Sequence, residues 1–462
     1  MRGASRMSEG DLGGFGDVRL RRVGVRLLDA MQQAPNMCLH ALAENRSEAK
    51  RFERFLANGA VSADEMLVHA GQVTGQRVAG RHVLAIQDTT ELHFAGHVAS
   101  KRGFGRGGNG RDIGLFLHPT IALDAANGGV IGLVGAQVLN RTDELDSHRC
   151  ARDADDKESR RWLSAAETAA AVLEAASAIT VVGDRESDVY DLFARRPEAT
   201  HLLCRAAQDR ALTVGPRLFA SCAAWPEQDR AAIEVPARGA RPARSATVAI
   251  RFGGVTLRRP KTASTSLAAT VTLRVVDVAE IAPPDPKDAV HWCLLTTHAV
   301  PDLAHARQIV RWYQARWTIE QVFRTLKSAG AQAETSQVTE ATRFVKLAVT
   351  ALIAAIRIVQ IVIARDGATS QSLADAADPA DTPMLQAFNA KLEGRTALLK
   401  NPHNPTTLAW FAWIVARLGG WSGYTSKGYK PPGPKTIARG LTKLDAMTEG
   451  WSLNHSAHVR LP

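Results

Sequence analysis

The sequence predicts an α/β protein whose strand-and-helix core lies between helical segments. Three observations lead there. RHVLAIQ, LFLHPTIALD and GVIGLVGAQVL are apolar, β-branched runs, the last two divided by the turn AANGG. From Lys157 to Arg205 helical and strand patterns alternate: KESRRWLSAAETAAAVLEAAS, AITVV, SDVYDLFARR, HLLCR. Residues 17–75 and the chain beyond Leu347 carry apolar residues at helical spacing.

The elements follow in order. DVRLRRVGVRLLDAMQQAP and SEAKRFERFLANGAVSADEMLVHAG are amphipathic and basic, with Arg19, Arg21, Arg22, Arg51 and Arg54. A small basic helical domain over 1–75 suits DNA, and equally suits a helical bundle with solvated arginines. Three meandering strands followed by alternating helix and strand is the order of a ribonuclease-H-like α/β domain, placed at 76–366. Within it, residues 208–300 alternate β-rich runs (RAAIEV, ATVAIRF, ATVTLRVVDV, HWCLLTT) with Pro-, Gly- and Arg-rich loops, which reads as a β-rich insertion. Residues 367–462 are expected to be a C-terminal helical domain. The apolar run LAVTALIAAI is too short to span a bilayer and reads as a buried helix.

Composition sets bounds. The chain has 462 residues, a formal net charge of +11 and 45% hydrophobic residues, enough for two or three domains with a sizeable core. The basic balance suits a polyanionic partner. The five cysteines form no C-x-x-C pair, so neither a structural zinc site nor a disulfide framework is indicated. The first residues have no apolar signal core, and a cytoplasmic setting without a membrane partner is expected. The glycine-rich GFGRGGNGRDIGLF does not fit a nucleotide-binding P-loop and reads as a mobile basic loop near DNA.

Chemistry concentrates in YQARWTIEQVFRTLK. If that stretch is one helix, Tyr313, Arg316, Glu320 and Lys327 fall within about 60° of one face. A phenol, two cations and a carboxylate on one face suit a phosphodiester and a metal ion, and the bland alternative is a solvated helix surface. Asp88 ends the first strand and Asp184 the fourth. If those strands are neighbours, the carboxylates lie side by side and repel unless a cation separates them. Each Asp could instead be an Asx-turn or helix cap. Asp88, Asp184 and Glu320, with no His or Cys among them, would select Mg²⁺, with Mn²⁺ as substitute.

The Tyr-Arg-Glu-Lys spacing resembles the signature of bacterial cut-and-paste transposases of the insertion-sequence-4 family, the transposon-5 type. The resemblance runs from about Gly16 to about Trp451 and includes GD-x-R-x-x-R, VSADE, KESRRWL and D-R-E-x-D. It implies a metal-dependent DNA transposase that nicks transposon ends, forms and opens hairpins, and joins the ends to target DNA as a homodimer on double-stranded DNA. It also implies phosphate contacts from Tyr313, Arg316, Lys327 and Arg205, and a base-stacking role for Trp292, whose alternative is a core tryptophan. Family members usually have a longer helical lead. MRGASRMSEGDLGG stands in its place, which implies weakened end binding or a misplaced start. A nuclease of the same fold and a non-catalytic inhibitor derived from a transposase are the competing readings. The tail from about 370 to 462 is the candidate dimer surface, through the apolar AWFAWIVARLGGW, unless that helix packs on its own domain.

Overall fold

The computed structural model describes residues 12–33, 36–94, 101–141, 159–235, 242–328, 336–423 and 431–457. Its elements begin with α1 (Val18–Gln33), α2 (Leu39–Leu42), α3 (Arg46–Ala57) and α4 (Ala63–Gly75). Next come β1 (His82–Gln87), β2 (Thr90–Phe94), β3 (Gly105–Arg106), β4 (Ile113–Asp124) and β5 (Val130–Leu139). They are followed by α5 (Arg160–Val172), β6 (Ala178–Gly183), α6 (Tyr190–Arg195), β7 (Thr200–Arg205) and α7 (Leu218–Ala223). β8 (Asp229–Val235), β9 (Arg244–Arg258), β10 (Thr270–Glu280) and β11 (His291–Thr296) precede α8 (Leu303–Ala315) and α9 (Trp317–Ser328). The chain closes with α10 (Ala341–Ala364), α11 (Thr382–Leu392), α12 (Leu408–Leu418) and α13 (Pro434–Ala457). The chain is a mixed α/β protein, as its pattern predicts.

Two compact units result. The first holds residues 1–80, 89–147 and 318–462, the second 81–88 and 148–317. In the first unit α1, α3, α4, α12 and α13 pack on α10. That helix is 24 residues long, far longer than its most apolar run suggested. By length and composition it could cross a membrane, but 89% of its most apolar window is buried in the protein. Lys346 reaches from it to the carbonyls of Leu56 and Asn58, at 2.9 Å each, where α3 ends. A cation at a helix C-terminus satisfies carbonyls that the helix itself leaves open.

Local chemistry explains the helix starts. Asp17 accepts from the amide of Arg19, Asn45 from Glu48 and Ser62 from Glu65. The Ser62–Glu65 spacing is that of a capping box. β2, β4 and β5 form the sheet of the first unit, with β3 on β4. The glycine-rich stretch is therefore a hairpin between β3 and β4, not a free loop. Gly108 donates to Glu91 Oε1 at 2.8 Å, and a Cβ on Gly107 would come within 2.5 Å of the same oxygen.

In the second unit β1, β6 and β7 are parallel neighbours. β11, β10, β9 and β8 continue from β7 as an antiparallel meander. The β-rich stretch thus extends the parallel strands edge to edge. β2, β3 and α7 escaped the sequence reading because each is short, and so few residues give a pattern little weight.

Candidate active site

β1 and β6 pair from His82↔Ala178 to Ile86↔Val182. Asp88 and Asp184 each lie two residues past the last of these pairs. The two carboxylate residues therefore leave neighbouring parallel strands in register, at the C-terminal edge where α/β proteins gather chemistry. β6 and β7 pair up to Gly183↔Cys204, so Asp184 and Arg205 stand one residue beyond. The sequence allowed this only on condition that the strands were neighbours.

Asp184 also caps a short 3₁₀ turn, accepting from the amide of Glu186 at 2.8 Å. The capping and chemical readings of this residue are therefore compatible. Asp88 Oδ2 lies 2.9 Å from Arg316 Nη1, with both side chains largely buried. The guanidinium thus offsets one charge of the carboxylate pair.

Tyr313 and Arg316 do not sit on one continuous helix with Glu320 and Lys327. α8 ends at Ala315 and α9 starts at Trp317, with Arg316 between them. The backbone of Arg316 stays in the right-handed helical region, at φ −53° and ψ −32°. Its amide bonds to Tyr313 O, a three-residue step, so α8 ends there without an extended residue. This break corrects the single-helix geometry assumed from spacing.

Tyr313 is buried, and burial pushes its phenol up, while Arg316 and Arg205 oppose that shift. Arg205 is half-buried. Desolvation pulls its pKa down, and its interaction with the Tyr313 hydroxyl works the other way. Arg316 also lies 6.0 Å from the Tyr313 ring centre. Asp88, Asp184, Arg205, Tyr313 and Arg316 consequently form one neighbourhood of the second unit, with Arg185 close enough to perturb Arg205. Three arginines against two aspartates leave a net positive site, suited to a phosphodiester.

Trp292 is on β11 and 7% exposed. Its ring centre is 5.5 Å from Tyr313 and 6.2 Å from Trp317, both edge-on. A base could stack on this indole only after one of those rings moved. Glu320 and Lys327 belong to the first unit and are exposed. Crowding by protein lowers the pKa of Lys327 even so, against a raising influence from Glu91. Arg19, Arg21, Arg22, Arg51 and Arg54 are exposed as well. Arg26, on α1 with Arg19, Arg21 and Arg22, is held instead by Glu44 and Glu48.

The donor types at the strand ends suit a hard divalent cation: carboxylate oxygens, with the nearby Cys204 thiol pushed up by burial and so neutral. Among the described residues no group of three or more His, Cys, Asp or Glu side chains could hold a metal ion. The second unit supplies two of the expected carboxylates, and Glu320 lies on the other unit.

Residues 150–357 match the transposase DDE domain family. The match takes in Asp184, Arg205, Trp292, Tyr313, Arg316, Glu320 and Lys327, and begins after Asp88. It supports a transposase function, hence DNA as substrate, and transposase DDE domains generally depend on divalent metal. Lys157 and Glu158 of the KESRRWL stretch lie outside the described residues; its Arg161 pairs with Glu186 at 2.8 Å.

Trp410, Phe411, Trp413, Ile414 and Leu418 on α12 are core residues of the first unit, all 7% exposed or less. The apolar bulk offered as a dimer surface is already spent inside the protomer, because a helix apolar all round is a core helix.

Two features were missed. Asp188 and Arg210 form a buried ion pair beside Asp184. His82, His201 and His298 gather at the opposite edge of the parallel strands. Only the second aspartate of D-R-E-x-D hinted at the first, and nothing in the sequence hinted at the second.

Proposed function

We propose that this protein is a cut-and-paste DNA transposase of the transposon-5 type, with a ribonuclease-H-like catalytic core. The observation carrying this reading is the register that sets Asp88 and Asp184 at adjacent strand ends among Arg205, Tyr313 and Arg316. Asp88 and Asp184 would hold Mg²⁺ or Mn²⁺, with Glu320 as third carboxylate. A divalent cation there would supply Lewis-acid activation of water or a DNA 3′-hydroxyl. Arg205 and Arg316 bind the scissile phosphate, Tyr313 donates a hydrogen bond to it, and Lys327 contacts the flanking backbone. Arg316, resting against Asp88, is placed to shift its charge to an incoming phosphate.

Trp292 receives an unpaired base once its aromatic neighbours part, offsetting the cost of unpairing. Arg19, Arg21, Arg22, Arg51 and Arg54 bind the inverted-repeat ends in the cytoplasm. Two protomers hold two ends, through a surface other than the buried face of α12.

The test is a plasmid carrying the gene with about 200 base pairs of flanking DNA, incubated with purified protein and Mg²⁺. End-specific breaks and hairpins, lost in Asp184→Ala, are the expected result. Breaks without end preference would point to a nuclease, and binding without breaks to a non-catalytic inhibitor. Either outcome overturns the proposal.

A further inference from the structure

The loop that carries Asp184 is wound tightly. Ser187 donates from Oγ to Asp184 O at 2.6 Å, and a Cβ on Gly183 would fall 2.3 Å from that Oγ. The next residue, Asp188, has a fully buried side chain. Its Oδ2 accepts from the amides of Ala207 at 2.8 Å and Gln208 at 3.0 Å. Its Oδ1 accepts from Arg210 Nε at 2.7 Å, and Arg210 Nη2 donates to the Asp188 carbonyl at 2.6 Å. Arg210, itself buried, lies 5.6 Å from the Phe193 ring centre and accepts at its carbonyl from Leu218.

These bonds join two strand exits. Residues 184–188 leave β6, and residues 206–210 leave β7 directly after Arg205. A buried ion pair is a poor source of stability, because desolvation offsets most of its attraction. Its saturated hydrogen bonding does fix geometry.

We propose that Asp188 and Arg210 are positioning residues that set the Asp184 carboxylate at the β6 exit, beside the β7 exit of Arg205, by tying the two exits together. The proposal rests on the transposase reading, since it assigns Asp184 to the cation and Arg205 to phosphate.

The test compares wild type with Arg210→Lys and with a double variant, Asp188→Asn plus Arg210→Met, which removes both charges and leaves no buried ion alone. Circular dichroism checks folding, calorimetry measures Mn²⁺ binding, hydrogen exchange follows Ala207 and Gln208, and cleavage and DNA binding are assayed separately. The double variant should fold and bind DNA with unchanged affinity. It should bind Mn²⁺ at least tenfold more weakly, cut at least tenfold more slowly, and exchange faster at both amides, while Arg210→Lys recovers most of the loss. A folded double variant with wild-type Mn²⁺ affinity overturns the proposal. So does a double variant that fails to fold, since the pair would then serve the fold and not Asp184. A wild type that binds Mn²⁺ without cutting DNA defeats only the transposase reading, and the Mn²⁺ comparison still decides this one. A wild type that does neither overturns both.

Discussion

Acid should destabilise the second unit through the histidine cluster, with His298 as its centre. His298 Nε2 lies 2.7 Å from Thr180 Oγ1, which in turn meets His82 Nε2 at 2.8 Å. His201 stacks on His298 with ring centres 3.9 Å apart, and Trp312 of α8 closes the cluster at 5.0 Å. Arg196 adds a further positive charge near His201. Among the described residues, no carboxylate is among the groups that perturb His201 or His298. Burial, then His201 and His82, push His298 down from 6.5 to about 3. The unfolded chain therefore takes up the proton first as pH falls. The stability from a neutral His298 is fully present above about pH 6.5 and is lost progressively toward about pH 3. Between pH 7.5 and 5 the loss works out to about 2 kcal/mol by linkage. Part of the ring is solvated, so screening reduces that to about 1 kcal/mol. For a domain of this size, 1 kcal/mol moves the melting temperature by about 2–4 °C. The assay is thermal unfolding of wild type and His298→Gln from pH 7.5 to 5. Carboxylate titration is common to both proteins, so the difference isolates the histidine. The variant should lose less stability on acidification. Parallel curves would refute the reasoning.

Other expectations follow from the site. Arg316→Ala removes the guanidinium beside Asp88 and should cost about 1–3 kcal/mol at neutral pH; millimolar Mg²⁺ should restore part of the melting temperature, and no response to Mg²⁺ would count against a cation at the aspartate pair. Glu320→Ala should abolish cleavage while end binding, followed by gel shift, stays within about threefold; retained cleavage would remove Glu320 from the proposed triad. Trp292→Ala should slow hairpin formation more than first-strand nicking, whereas equal loss at both steps would mark a core tryptophan. Neutralising Arg19, Arg21, Arg22, Arg51 and Arg54 together should flatten the salt dependence of end binding, since each phosphate contact releases counterion; an unchanged slope would place the DNA elsewhere.

Sequence alone determined what depends on neighbours along the chain. Strand runs and helix periods were legible because side chains alternate every two residues or return every 3.6. The Tyr313–Lys327 spacing was legible for the same reason, although the break at Arg316 was not, because its backbone remains helical and no Gly or Pro marks it. Asp88 and Asp184 could be chosen as strand ends, yet only the pairing of β1 with β6 decided that they are side by side.

Tertiary structure decided the rest. Whether Trp410 and Trp413 face a partner or a core cannot be read from hydrophobicity, since both environments exclude water equally. Packing on α10 and α13 settled it within the protomer. Asp188 and Arg210 are 22 residues apart, beyond any helical or strand period, and the three clustered histidines come from β1, β7 and the turn after β11. Such contacts exist only once the sheet has set its strand order, so the charge pair and the histidine cluster belong to the fold and not to any local pattern.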